Sequence, residues 1–223
     1  MKKMFTTFTF AFAMTTASVF AGENFSDSIQ KGDAQRSSSA YANALSEFDQ
    51  AHGQAANDTE RSIALSKKAE VYAFNLKDYV KARTEAEKSL ALAQAEAVGK
   101  VTAYQVLAEC QLRKDLDPTA AALTLEQALA LEGVDWARTG LLLTLGDCYR
   151  MTGRPEQAIT HFEQVIERTG ADPTLQAVAY LNIGLTYQYA LVNAAKATEA
   201  YSKASALNPG LKGEIDNHLA KLP

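Results

Sequence analysis

Two cysteines, one tryptophan, five prolines and twelve glycines among 223 residues exclude several classes of protein at once. Two thiols cannot build a zinc cluster of the CxxC type, and the three histidines, His52, His161 and His218, are too dispersed to complete a metal set. So little glycine and proline excludes collagen and low-complexity disorder. Neither charge sign dominates. The 26 acidic and 22 basic side chains give a net charge of −4 with no long run of one sign, so the electrostatic footprint of a nucleic-acid binder is missing. No phosphate loop, dinucleotide fingerprint or HExxH helix occurs, and Gly99-Lys100-Val101 lacks both the earlier glycine and the following Ser or Thr of a phosphate loop. What is present is 47% hydrophobic and 22% charged residues, the composition of a soluble globular protein. The reading is of a non-enzyme that takes no cofactor and no metal.

The chain opens with a removable address. Lys2 and Lys3 precede an uncharged stretch from Met4 to Ala17, and Val19-Phe20-Ala21 places small residues for cleavage after Ala21. The uncharged stretch ends before Glu23 and is diluted by threonines, short of the roughly 20 apolar residues of a membrane span. No other segment could cross a bilayer, so no stable membrane insertion is expected after cleavage. Gly22 rather than Cys follows the cut and no Arg-Arg pair precedes it, so neither a lipid anchor nor a twin-arginine route is indicated. The short, lysine-led segment resembles Gram-negative signal peptides, which implies export to the periplasm.

A repeat organises the rest. The small residues Ala69, Ala108, Gly146 and Gly184 recur at spacings of 39, 38 and 38, and a second small residue follows each by 13, 13, 12 and 13 places: Ala82, Ala121, Ala158 and Ala197. Around the first mark, large and small residues fall at i, i+4 and i+7, as in Leu142, Gly146 and Tyr149. Around the second, Ala158, Phe162, Val165 and Ala197, Tyr201, Ala204 do the same, so each unit is a pair of helices. Two helices come within about 8 to 10 Å only where one supplies little bulk, which gives the small residues their role. Asp117-Pro118, Asp172-Pro173 and Gly153-Arg154-Pro155 supply starts and stops. The spacing predicts helices over 59–76, 79–95, 99–114, 118–132, 136–152, 155–169, 174–190 and 193–207.

These residues resemble the tetratricopeptide repeat, a helix-turn-helix unit of about 34 residues. Gly184-Leu-Thr-Tyr187 with Ala197, Tyr201, Ala204 and Asn208-Pro209 carries the likeness, as does Leu145-Gly146-Asp-Cys-Tyr149 with Ala158 and Phe162. Lys68, Gln111 and Ala86 depart from it, standing where Leu, Tyr and an aromatic are usual, and three turns carry an extra residue. The implied fold is an all-α helical-hairpin solenoid, a right-handed superhelix with N- and C-terminal capping helices. The expected organisation is a signal peptide over 1–21, a flexible tail over 22–34 and a capping helix with its loop over 35–57. Four repeats (about 58–96, 97–134, 135–171 and 172–209) and a capping helix over 210–223 follow.

The resemblance implies that the first helices line a concave groove for a partner's peptide or helix. By register the groove includes Glu70, Phe74, Gln105, Glu109, Arg113, Leu143, Asp147, Arg150, Met151, Leu181, Gln188 and Tyr189. Glu70, Glu109 and Asp147 form an acidic row ending at Leu185, where chaperone-binding relatives use asparagine, so that activity is disfavoured. Cys110 and Cys148 occupy equivalent sites on neighbouring first helices, roughly 8 to 10 Å apart, beyond the reach of about 4.4–6.8 Å of a disulfide, and are read as buried free thiols. The functional expectation is a non-catalytic exported scaffold or adaptor for a protein or peptide partner, suited to envelope assembly or secretion. The alternatives are a self-associating structural protein, a homo-oligomer, and a small-molecule-binding accessory or enzyme using Asp147, Arg150 and Arg113.

Overall fold

Five times among the described residues a helix ends in one left-handed residue and the next helix begins at once. These residues are Ser39, Lys77, Leu116, Gly153 and Val192, with φ of 63°, 57°, 56°, 74° and 51°. The computed structural model describes residues 23–168 and 172–222. The expected signal peptide lies outside them. All regular structure among the described residues is helical. The helices are α1 (Glu23–Ser37), α2 (Tyr41–Gln54), α3 (Asp58–Glu70), α4 (Tyr79–Leu90), α5 (Ala97–Cys110), α6 (Pro118–Leu129), α7 (Asp135–Met151), α8 (Pro155–Glu167), α9 (Pro173–Tyr189), α10 (Ala194–Leu207) and α11 (Lys212–Leu219). The chain divides into two compact units, one through Val106 and one from Leu107, a boundary that falls within α5.

In the first unit α1 pairs with α2, α2 with α3 and α3 with α4. The expected flexible tail over 22–34 is corrected here: residues 23–37 are α1, and together with α2 they form a hairpin rather than a lone cap. The cause is a face of Phe25, Ile29 and Gly32 at i, i+4 and i+7, with Phe25 and Ile29 buried against Ala44, Phe48 and Ala51. Ser28, also buried on α1, donates to Gln54 Oε1 at 3.1 Å. Gly32 lies against the fully buried Phe48, whose ring a Cβ there would strike. Gly32 and Ala44 are 12 apart, and Ala44, Phe48, Ala51 repeat the i, i+4, i+7 series of the other second helices. This is a fifth hairpin of the same design.

The departures at Lys68 and Ala86 have local causes. Lys68 Nζ reaches Asp49 on α2 at 2.6 Å and Glu85 on α4 at 3.5 Å, so an ion pair replaces the usual leucine contact. Burial opposes the charge, yet the two carboxylates raise the Lys68 pKa above its ordinary value. Ala86 and Ala69, one on each helix of the α3–α4 pair, are both fully buried. Where α5 enters, Gly99 admits Ser62, whose hydroxyl meets that of Ser89 at 2.6 Å in a fully buried contact.

In the second unit α7 pairs with α6 and α8, α9 with α8 and α10, and α7 also meets α9. A Cβ at Gly146 would stand 2.5 Å from Phe162 Cε1, and one at Gly184 would run into Tyr201, both fully buried rings. Asp117 accepts the N–H of Thr119 and Ala120, and Asp172 that of Thr174, each ahead of a proline that begins the helix. Ahead of α11 a 3-10 turn, Pro209–Leu211, brings Leu211 and Ile215 onto Ala177, Leu181, Ala197, Tyr201 and Ala204.

The extra residue in three turns is taken up by widening the helix end. The amide after the left-handed residue bonds five residues back in two hairpins, Ala40 to Gln35 and Arg154 to Tyr149. It bonds six back in Asp78 to Tyr72, Asp117 to Gln111 and Asn193 to Tyr187. Two of the latter contain π-helical turns, Val71–Leu76 and Gln111–Asp115, and the third a single bond of that type, Leu191 N–H to Thr186 O. The wide turns are the three with a spacing of 13 between small residues. The narrow ones have a spacing of 12.

Two substitutions test this account. Gly32→Ala should destabilise by roughly 1 kcal/mol, the overpacking cost less alanine's helical preference, whereas Gly213→Ala on α11, with open space around it, should gain up to about 1 kcal/mol. Urea midpoints check both, and a stabilised Gly32→Ala would contradict the packing of α1. Val192 is a β-branched residue at φ 51° and three-quarters exposed, so Val192→Gly should stabilise by about 0.5–1 kcal/mol in thermal denaturation.

Candidate partner-binding face

Each first helix can be numbered from its small residue, and the expected groove residues then fall into sets. One place on stand Asp33 and Glu70 in the first unit, and Glu109, Asp147 and Leu185 in the second. Four places on stand Arg36 and Ala73, then Leu112, Arg150 and Gln188; five places on stand Phe74, then Arg113, Met151 and Tyr189. Two places on stand Val71, Cys110, Cys148 and Thr186, all fully buried. Neither cysteine is in a disulfide, and burial together with the Asp147 carboxylate pushes the Cys148 thiol up to about 12.

Every acid of the expected row is paired. In the first unit Arg36 Nη1 on α1 holds Glu70 Oε2 on α3 at 2.7 Å, and Lys67 Nζ holds Asp33 at 3.0 Å and approaches Glu70 at 4.0 Å. In the second, Arg113 holds Glu109 at 3.0 Å and Arg150 holds Asp147 at 2.8 Å, each within its own helical segment. Sequence reasoning missed Asp33 because 22–34 reads as a polar tail, and with it Arg36 and Lys67, whose pairings exist only once α1 stands beside α3. The signal that would have found them is Gly32, 37 places before Ala69 and 12 before Ala44.

The remaining expected residues separate by depth. Met151 and Tyr189 are exposed, at 42% and 56% of their surface, and Phe74 and Gln105 are half-buried. Leu143, Leu181 and Gln188 are corrected: all three are buried and present no contact surface. Leu181 packs under Leu211 and Ile215, which cover the end of α9. Gln188 accepts the Tyr201 hydroxyl at 2.6 Å and donates to the His218 carbonyl at 2.9 Å, fastening α11 to α9 and α10. The His218 ring stacks on Tyr201 and meets the Tyr189 hydroxyl at 3.2 Å. Burial lowers the His218 pKa, Glu214 opposes the shift and Lys221 assists it; burial also raises that of Tyr201.

What this face can do chemically is hold and orient. Among the described residues no three His, Cys, Asp or Glu side chains gather as metal ligands would, and no helix is long and apolar enough to cross a membrane. In the second unit it offers two exposed large side chains in one register beside the Asp147–Arg150 pair, a surface suited to an apolar side chain flanked by hydrogen-bonding groups.

The tetratricopeptide repeat model matches residues 139–172, the span of α7 and α8. None of the curated proteins compared with the chain matches it. Among solved structures, YrrB, described as a tetratricopeptide repeat protein with an unusual peptide-binding site, is 26% identical, with a TM-score of 0.60 over 87% of this chain and 91% of its own. A structure of MamA is 22% identical, with a TM-score of 0.60 over 86% of this chain and 96% of its own. The fold is that of the tetratricopeptide solenoids.

A pH dependence follows from the C-terminal packing. His218 is held neutral in the folded chain, so the unfolded chain takes up the proton first as pH falls below about 6.5. Its packing contribution is fully present above that pH and is lost as pH drops through the lower folded-state value. The stability difference between the native chain and His218→Gln should therefore shrink from pH 7.5 to pH 5 in urea titrations. A gap that stays constant would show His218 to be solvated.

Proposed function

We propose that the protein is an exported, non-catalytic scaffold or adaptor that binds a peptide or helix of a protein partner along the first-helix face. On this reading residues 1–21 are the removed signal, and the work is done in the periplasm of a Gram-negative cell, in envelope assembly or secretion. A protein interaction scaffold is what the tetratricopeptide fold and its neighbours support. The single observation that carries the finer reading is the shared register of Met151 and Tyr189, two large side chains left exposed five places past Gly146 and Gly184. Buried first-helix leucines hold the backbone, while these two meet solvent beside Arg150 and Asp147. Such rigid apolar side chains, ringed by polar ones, are what binding hot spots are made of. YrrB, a protein of this fold with a peptide-binding site, is a precedent for that use.

The test places a photo-crosslinking amino acid at Met151, and in a second variant at Leu123, an exposed residue of the second helix α6. A discrete protein adduct from envelope-expressing cells at 151, absent at 123 and abolished by Tyr189→Asp, is expected. Equal adducts at both sites would move the contact off this face, and an adduct of twice the chain's own mass would make the protein self-associating. N-terminal sequencing of the extracted protein should begin at Gly22.

A further inference from the structure

The opposite side of the second unit carries a feature the groove reading does not use. Between α8 and α10 lies a cleft of about 310 Å³ with α9 as its floor. Tyr180 and Tyr187 provide aromatic faces there, and each already holds an ammonium group: Lys203 Nζ stands 5.6 Å from the Tyr180 ring centre and Lys196 Nζ 5.1 Å from that of Tyr187. The floor thus has the chemistry of a cation site, since a tyrosine face attracts a positive charge through its quadrupole.

The walls differ in charge. On the α10 wall Glu199 holds Lys203 at 2.7 Å and lies close enough to Lys196 for both ammonium groups to lower its pKa, so the wall carries its own balance. On the α8 wall Glu163 and Glu167, one turn apart and exposed, have no ion pair among the described residues. Three carboxylates against two lysines leave the cleft negative, and its unmatched charge sits across from the occupied tyrosines. The two lysines are exposed and on long flexible stems, so they can swing into solvent when a better-placed cation enters.

We propose that this cleft binds an arginine side chain from a basic segment of a protein partner, its guanidinium over Tyr180 and bonded to Glu163 and Glu167, with Lys203 displaced. Arginine suits the site better than lysine because its planar group stacks on a ring and bonds two carboxylates in one plane. This site is distinct from the first-helix face, and its test does not depend on that reading.

The full chain is titrated with the blocked peptide Gly-Arg-Gly-Arg-Gly and followed by NMR of the amide and tyrosine ring signals, at low salt. Shifts should concentrate on α8 and α10 and on the rings of Tyr180 and Tyr187. Glu163→Gln/Glu167→Gln should weaken binding about fivefold, the worth of two exposed pairs. Lys203→Met should tighten it about threefold by freeing the Tyr180 face. All three positions are exposed, so the variants keep the fold. The same peptide with glutamate in place of arginine should not bind. Shifts that scatter over the surface, an unchanged affinity in the Gln variant, a weaker one in Lys203→Met, or preferred binding of the glutamate peptide would each overturn the assignment.

Discussion

Three of the five described hairpins hang on one steric fit, a glycine on the first helix of the pair lying under a large ring on the second. Gly146 with Phe162, Gly184 with Tyr201 and Gly32 with Phe48 are the same contact made three times. Each glycine costs its helix roughly 1 kcal/mol of intrinsic preference. The ring it admits is fully buried, and burying an aromatic side chain contributes about 1.5–3 kcal/mol. The exchange is favourable at every occurrence, and it fixes the register of the pair. A register so fixed determines which residue of the next turn faces solvent and which faces the neighbouring helix.

That constraint also explains the turns. With the two small residues pinned, the chain between them must turn in either 12 or 13 residues, and the longer version has one residue too many for an α-helical exit. It is absorbed as a π-type bond at the end of the first helix, so the left-handed residue and the following cap keep the same places in all five hairpins. Lysine, leucine, serine and valine stand at the left-handed position in four of them, and only Gly153 is a residue without a steric penalty there. The packing on either side overrides local preference.

Four hairpins were legible because each repeats two marks in phase, and with the π-helical ends of α3 and α5 counted the observed helices start and stop within about three residues of the expected limits, except at Leu90, where α4 ends early. The first hairpin was not legible by composition. The non-polar part of α1's buried face is only Phe25, Ile29 and Gly32 among polar neighbours, and its burial exists only once Phe48 has been placed opposite. The register of the first-helix residues was legible, but their depth was not. Leu143, Leu181 and Gln188 share the spacing of surface residues, and what buries Leu181 and Gln188 is a partner from elsewhere in the chain, Ile215 in one case and His218 in the other. The pairing of the charges is likewise visible only in the fold. A row of acids in sequence becomes a set of neutral pairs once Arg36 arrives from α1 and Arg113 and Arg150 fold back along their own helices.

Pairing changes what the first-helix face can recognise. Carboxylates matched to guanidiniums at 2.7–3.0 Å exert little long-range pull on a basic partner, so steering by charge is weak there. If a partner docks on this face as proposed, discrimination comes at short range, from shape and from the exposed Met151 and Tyr189, beside which the ion pairs offer donor and acceptor edges. Unpaired carboxylates of the second unit include Glu163 and Glu167 on α8, which line the cleft. On the two proposed readings the second unit divides recognition between two faces: apolar contact on the first helices, where the charges of the acidic row are paired, and electrostatic attraction in the cleft between second helices, where Glu163 and Glu167 are not.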